Sequence, residues 1–195
     1  NKVSENTKAI IVVHQFGIPA NMDAIIEIAE KHNLKIIEDC AQAHGCLYKG
    51  RLVGTMGDIG VFSLNVNKTI QTGEGGICVT NNDDLSYRLK LIRNHGEAVV
   101  GPAGYQKITN VAGYNYRMTE IIAAVASVQL KKLKNLNKER IKMVQWLSKR
   151  INSYDFLQTL INRPECENCS CLKNLKCKPT YYILPIRFLS EKTNV

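Results

Sequence analysis

No stretch of this 195-residue sequence is apolar enough to cross a bilayer. Its longest apolar runs, such as residues 9–13 (AIIVV), fall far below the ~20 residues a spanning helix needs. The opening residues NKVSENTKA lack the apolar core of a secretory leader, so the expected compartment is the cytoplasm. Acidic residues are also scarce: 17 Asp and Glu face 26 Lys and Arg, a net charge of +9. Much of that excess lies in residues 131–150 and 163–178. It reads as a surface for anions or as the solvated face of a long helix with loop lysines. The absence of any aromatic-interleaved basic motif favours the second reading, and no nucleic-acid partner is expected. Internal repeats and low-complexity segments are missing as well, which excludes solenoids and disordered linkers. What is present, 45% hydrophobic and 22% charged residues, is ordinary for a globular chain with a real core. The length suits one domain, or one and part of a second.

Seven cysteines fall into two groups. Cys40, Cys46 and Cys78 lie in apolar or strand-like contexts and read as small buried hydrophobes. Cys166, Cys169, Cys171 and Cys177 cluster in CENCSCLKNLKC, a C-x2-C-x-C-x5-C spacing. They are weak candidates for zinc or an iron–sulfur cluster, because the tight C-x-C pair fits no usual ligand pattern. A cysteine-rich surface loop is the preferred reading, and a disulfide framework is not expected in a cytosolic chain.

The periodicities alternate between strand and helix. Residues 8–14 (KAIIVVH) are β-branched and apolar, a buried strand. Residues 21–32 place Met22, Ile25, Ile26 and Ala29 on a helical stripe, with Asn21 or Asp23 as cap. Residues 34–38 (LKIIE) form the next strand, and this strand–helix–strand order predicts a parallel sheet. The glycine-punctuated 48–58 predicts a loop or small hairpin, and 59–64 and 77–80 are further strands. Asp83 or Asp84 is expected to cap a helix running to about residue 94. Residues 97–112 read as loop. Thr119 is expected to cap a long helix that breaks near residues 135–137 and resumes to 151. Ile122, Ala123, Ala126, Val128 and Leu130 should be its apolar face. A last strand is predicted over 181–188 (YYILPIRF).

Two residues carry the chemistry. Asp39 falls at the carboxyl end of the second strand, where open α/β sheets bind ligands. Lys68 lies in FSLNVNKTIQTGEGG, just after the third strand. An amine and a carboxylate at that sheet mouth suit a pyridoxal phosphate enzyme: the lysine forms a Schiff base and the acid keeps the pyridine nitrogen protonated. Gln42 can reach the ring, and Ser63 with the amides of the glycine turn can hold a phosphate. The glycine run TGEGG is neither G-x-G-x-x-G nor a P-loop, so it carries little alone.

Together, IIEDCAQAHG, YKGRLVGTMGDIGVFSLNVNKTIQTGEGGICVTNN, LIRNHGE and GYNYRMTEIIAAV resemble the DegT/DnrJ/EryC1/StrS family, in order from about residue 8 to residue 136. A weaker likeness covers 181–188. The resemblance implies a three-layer α/β/α, mostly parallel sheet of the aspartate aminotransferase type (fold type I), incomplete at both ends. It implies a pyridoxal 5'-phosphate-dependent aminotransferase that moves an amino group from glutamate or glutamine to a nucleotide-linked keto sugar, for amino-sugar and surface glycan synthesis. Lys68 matches the Schiff-base lysine, Asp39 the acid on the pyridine nitrogen, Gln42 the residue beside the ring, and Ser63 a phosphate ligand. Asn115 matches an asparagine reaching the phosphate from the neighbouring subunit, which implies a homodimer with composite sites. A family dehydratase is disfavoured because those members carry histidine at the position of Lys68. An inactive or regulatory fragment is the other alternative, since family members run to nearly twice this length. The expected division is 1–117 as part of the cofactor domain, 118–160 as a connecting helix, and 161–195 as the start of a small domain with the cysteine loop.

Overall fold

A computed structural model describes residues 2–97, 111–159 and 177–189. Strand β1 (Ala9–Val13) leads through a short 3-10 turn into helix α1 (Met22–His32), which returns the chain to β2 (Lys35–Asp39). β1 and β2 pair in parallel from Ala9↔Lys35 to Val13↔Asp39. The Asn21 side chain caps α1 by accepting from the Ala24 amide, and Asn33 closes it in the left-handed region at φ 51°. A hairpin of β3 (Leu47–Tyr48) and β4 (Arg51–Leu52) follows, its turn made by Lys49 and Gly50 at positive φ. β5 (Ile59–Ser63) then adds in parallel to β2, and β6 (Gly76–Val79) adds antiparallel to β5. The sheet order is β1-β2-β5-β6. Helices α2 (Asp83–Arg93) and α3 (Glu120–Ile151) complete the main body. A separate antiparallel pair joins β7 (Leu157–Thr159) to β8 (Ile186–Phe188).

The core lies on one face of this sheet. Val12 and Ile36 pack with Met22, Ala29 and Leu34, and the cluster extends through Cys40, Cys46, Tyr48 and Val53 to Cys177. A fully buried Met22 contributes about 1.5–3 kcal/mol relative to exposure. The alternate residues of β1 point the other way: Ile11 and Val13 are 68% and 50% exposed. Among the described residues no helix is long and apolar enough to cross a membrane.

Several expectations are corrected. Helix α3 runs unbroken through residues 135–137, because the Asn137 carboxamide donates outward to the His44 carbonyl at 2.8 Å and does not compete with its own helix. Val128 and Leu130 are exposed, while Ile122, Ala123 and Ala126 are partly covered. Cys78, on β6, is exposed, whereas Cys40 and Cys46 are buried as expected. The cap of α2 is Asn82, which accepts from the Leu85 amide, and Asp83 and Asp84 occupy the first turn. Only residues 186–188 of the last predicted strand are paired, and β7 was not foreseen.

Candidate functional site

Strands β1, β2 and β5 run the same way, so their carboxyl ends share one edge of the sheet. Because β6 is antiparallel with Gly76 opposite Ser63, the connecting residues 64–75 also lie at that edge. Topology thus collects the loops bearing Asp39, Gln42, Ser63 and Lys68 at a single edge, the usual ligand position of such sheets.

Asp39 is fixed by its backbone. Its carbonyl accepts from the His14 amide at 3.0 Å, and the next amide, Cys40, donates to the Val61 carbonyl at 2.8 Å. Its Oδ1 accepts from the Ala41 amide at 3.0 Å, and Oδ2 takes no hydrogen bond from the described residues. Gln42 reaches across to the turn after β1, where its Oε1 accepts from the Phe16 amide at 2.7 Å. With the oxygen so committed, the free end of the carboxamide is its NH2 donor. Phe16 sits at φ 61°, a left-handed conformation rarely held by a large residue. Ser63 Oγ accepts from the Asn65 amide at 3.2 Å, which leaves its hydroxyl proton to donate elsewhere.

The Lys68 loop is closed by Leu64, whose amide donates to Gly75 and whose carbonyl accepts from the Thr72 amide. Gly73 and Gly75 take φ of 85° and 152°, values that a side chain resists. The amide of half-buried Lys68 donates to the Asn65 carbonyl at 2.9 Å, and its ammonium lies 5.2 Å from the Tyr182 ring centroid. Asn115 is exposed, and no hydrogen bond joins it to the other four; its backbone bridges Asn94.

Three features behind these residues had no sequence signal. His14 and Glu38 are both fully buried and hydrogen-bonded at 3.0 Å. The Ala20 amide donates to His14 Nδ1, so the imidazole proton sits on Nε2 and is given to Glu38. Glu38 also accepts from the amides of Gly54, Met56 and Gly57 at 2.6–2.7 Å. Burial pushes the Glu38 carboxyl up, but the His14 hydrogen bond and these amides outweigh it and hold the group below its ordinary value. His44 is buried against Phe62 and donates to the Ser63 carbonyl at 2.8 Å. Burial lowers its tendency to protonate, and the nearby Lys68 and Arg140 charges lower it further. Arg140, on α3, donates to the Thr69 hydroxyl at 2.6 Å.

His14, Glu38 and Cys40 bring potential metal ligands within 4.8 Å of one another. Their chemistry does not fit a cation: one His14 nitrogen accepts an amide, the other donates to Glu38, and Glu38 already receives four hydrogen bonds. Of the cysteine cluster, Cys166, Cys169 and Cys171 lie outside the described residues. Cys177 is buried in the core, not on a surface loop, and its sulfur accepts from the Lys49 amide at 3.2 Å.

Residues 1–179 match the DegT/DnrJ/EryC1/StrS aminotransferase family. A GDP-perosamine synthase of Escherichia coli O157:H7 is 45% identical over 152 residues, 78% of this chain and 41% of that protein. The X-ray structure of an aminotransferase from Psychrobacter cryohalolentis superposes with a TM-score of 0.83 at 34% identity, covering 97% of this chain and 49% of the other. S. venezuelae DesV, solved in complex with a ketimine intermediate, gives a TM-score of 0.79 at 30% identity, over 95% of this chain and 46% of DesV. The chain spans less than half the length of each of these proteins.

Proposed function

From the chain's membership of the DegT/DnrJ/EryC1/StrS aminotransferase family, in which it shares the fold type I architecture, we propose that it carries the cofactor-holding part of a pyridoxal 5'-phosphate-dependent sugar aminotransferase. The observation that carries this reading is the convergence of Lys68, Asp39, Gln42 and Ser63 on the carboxyl edge of one sheet. The donor set fits the cofactor group by group. An Asp39 carboxylate oxygen with no partner among the described residues suits a protonated ring nitrogen, the Gln42 amide, likewise without one, suits a phenolic oxygen, and the Ser63 hydroxyl suits a phosphate. When bound, the cofactor supplies an electron sink for carbon–nitrogen chemistry.

The residues' own work follows from their chemistry. Asp39 would hold the ring-nitrogen proton, and Gln42 and Ser63 would orient the group by donating hydrogen bonds to it. Lys68 would supply the amine that holds the cofactor aldehyde and would move a proton at the substrate carbon. The amino donor in this reading is glutamate or glutamine, the acceptor is a keto sugar on a nucleotide, the amino-sugar product feeds surface glycan synthesis, and the compartment of the protein is the cytoplasm. Its relative named GDP-perosamine synthase supports the sugar class. Asn115, exposed here, fits a contribution to a neighbouring subunit's phosphate site in a homodimer. Residues 1–117 would belong to the cofactor domain, 118–160 to a connecting helix, and 161–195 to a smaller domain.

The test is to add pyridoxal phosphate, reduce with borohydride, and map the labelled peptides by mass. Absorbance in the imine region with the label concentrated on Lys68 is the expected result. A label spread over surface lysines overturns the assignment.

A further inference from the structure

Lys68 sits where three distant parts of the chain meet. Its neighbour Asn67 offers a carbonyl that accepts from the Tyr182 hydroxyl at 2.8 Å. Its other neighbour, Thr69, accepts from Arg140 at 2.6 Å. Between these staples, the Lys68 ammonium lies over the Tyr182 ring at 5.2 Å from its centroid, within cation–π range. The same tyrosine therefore holds both the backbone beside Lys68 and its amine.

Tyr182 is itself firmly seated. The Thr180 amide donates to the Gly17 carbonyl at 2.8 Å, and Lys178 bridges Leu47 through two backbone hydrogen bonds of 2.9 and 3.0 Å. Gly17, at φ +74°, makes this approach possible: a β-carbon there would stand 2.8 Å from both Thr180 Oγ1 and the Tyr182 amide. The segment bearing Tyr182 thus docks directly on the turn after β1, which Gln42 also grips through Phe16.

We propose that Tyr182 is a positioning residue for Lys68: its ring face seats the ε-amine and its hydroxyl fixes the loop, while Arg140 secures the opposite flank. The inference rests on the reading of Lys68 as the cofactor lysine, and its test separates the two.

The first measurement is competitive acylation of the cofactor-free protein with trace acetic anhydride at one pH. Mass mapping compares Lys68 with the exposed reference amines of Lys35 and Lys142. Tyr182→Leu should raise relative labelling of Lys68 about two- to five-fold, the range corresponding to a partly exposed cation–π contact. Tyr182→Phe keeps the ring and should stay near the native value. A role confined to the Tyr182 hydroxyl predicts no such rescue by phenylalanine. Tyr182→Met, which fills the space without a π face, is the second non-aromatic variant should leucine prevent folding. The second measurement is the rate of borohydride trapping of pyridoxal phosphate at Lys68. Tyr182→Phe and Arg140→Gln should each slow it several-fold, because each frees one flank of the loop. Lys68 labelling unchanged in both non-aromatic variants overturns the proposal, as does trapping unchanged in both Tyr182→Phe and Arg140→Gln. Protection by Tyr182 with trapping scattered over surface lysines of the native protein instead overturns the cofactor reading and leaves the amine seat standing.

Discussion

Replacing Glu38 by glutamine should destabilise this protein by about 3 kcal/mol, although the two side chains have nearly the same shape. Glu38 is fully buried and receives four donors: His14 Nε2 and the amides of Gly54, Met56 and Gly57. In glutamine one acceptor oxygen becomes an NH2 group. If Oε1 stays with Met56 and Gly57, the new donor faces the Gly54 amide and His14 Nε2–H, both also donors. His14 cannot switch tautomer to relieve the conflict, because its Nδ1 lone pair already accepts from Ala20. Hydrogen bonds to a charged acceptor are worth about 1.5–3 kcal/mol each, and breaking a buried charged pair costs about 3–5 kcal/mol. The lower end applies because two of the four bonds survive.

Urea unfolding followed by far-UV circular dichroism measures this directly. With m near 2–3 kcal/mol/M, a 3 kcal/mol loss moves the midpoint down by about 1–1.5 M. The pH dependence supplies a second check with a definite sign. The folded Glu38 carboxyl titrates below its unfolded value. Its ionised-state stabilisation is therefore complete above an unfolded pKa of about 4.3 and is lost as pH falls through the lower folded pKa. The gap between native and Glu38→Gln should be constant near neutrality and narrow in that acid window. A midpoint within 0.2 M of native at pH 7 would refute the reasoning, since (at about 0.5 kcal/mol) it would mean that the four donors do not depend on a charge.

The other predictions are shorter. Lys68→Ala should abolish site-specific borohydride trapping, read by peptide mass mapping; persistent label at one other lysine would move the site. Asp39→Asn should retain weak cofactor binding in an absorbance titration but lose most turnover with any accepted keto sugar, because a neutral amide holds the ring-nitrogen proton poorly. Iodoacetamide at pH 8 should modify exposed Cys78 well before Cys40 and Cys46, whose thiols burial pushes up, that of Cys46 to about 12. Equal rates by mass mapping would contradict the burial. Gly54→Ala should cost about 1–3 kcal/mol in denaturant unfolding: φ is +88°, and the added carbon would stand 2.7 Å from the Phe62 ring and 3.0 Å from Cys40 sulfur.

The parts of the fold that were legible were those governed by short-range rules. β1, α1 and β2 announce themselves by apolar period and by Asn21 and Asn33, because each cap and stripe acts within a few residues. The positions of Asp39 at the end of β2 and of Lys68 in the loop after β5 are local properties and were legible for the same reason, while the roles proposed for them rest on the resemblance. Apart from the one-residue shift of the α2 cap to Asn82, the errors are long-range. Asn135 and Asn137 lower helix propensity, so a break was expected. The helix persists because Asn137 reaches the His44 carbonyl, 93 residues away in sequence. Cys177 was read as part of a surface loop because the cysteine spacing fits no usual ligand pattern. Its burial comes from pairing of Lys178 with Leu47. Cys78 sits in an apolar run that reads as buried, yet nothing in that run says whether another element covers its side of the sheet.

The supports of the site were invisible for a deeper version of that reason. Asp39, Gln42 and Lys68 are held by partners on other elements: His14 for the Asp39 carbonyl, Phe16 for Gln42, and Tyr182 and Arg140 for the residues flanking Lys68. Tyr182 and Asn67 are 115 positions apart, and neither residue type is unusual where it stands. A sequence pattern selects the residues proposed to meet the cofactor because their chemistry is specialised. It passes over those that position them because a tyrosine hydroxyl, an arginine or an asparagine amide can do that work from almost anywhere the fold delivers it. The site is therefore best understood as specialised groups on one sheet edge, made rigid by general-purpose hydrogen bonds that only the folded chain brings within reach.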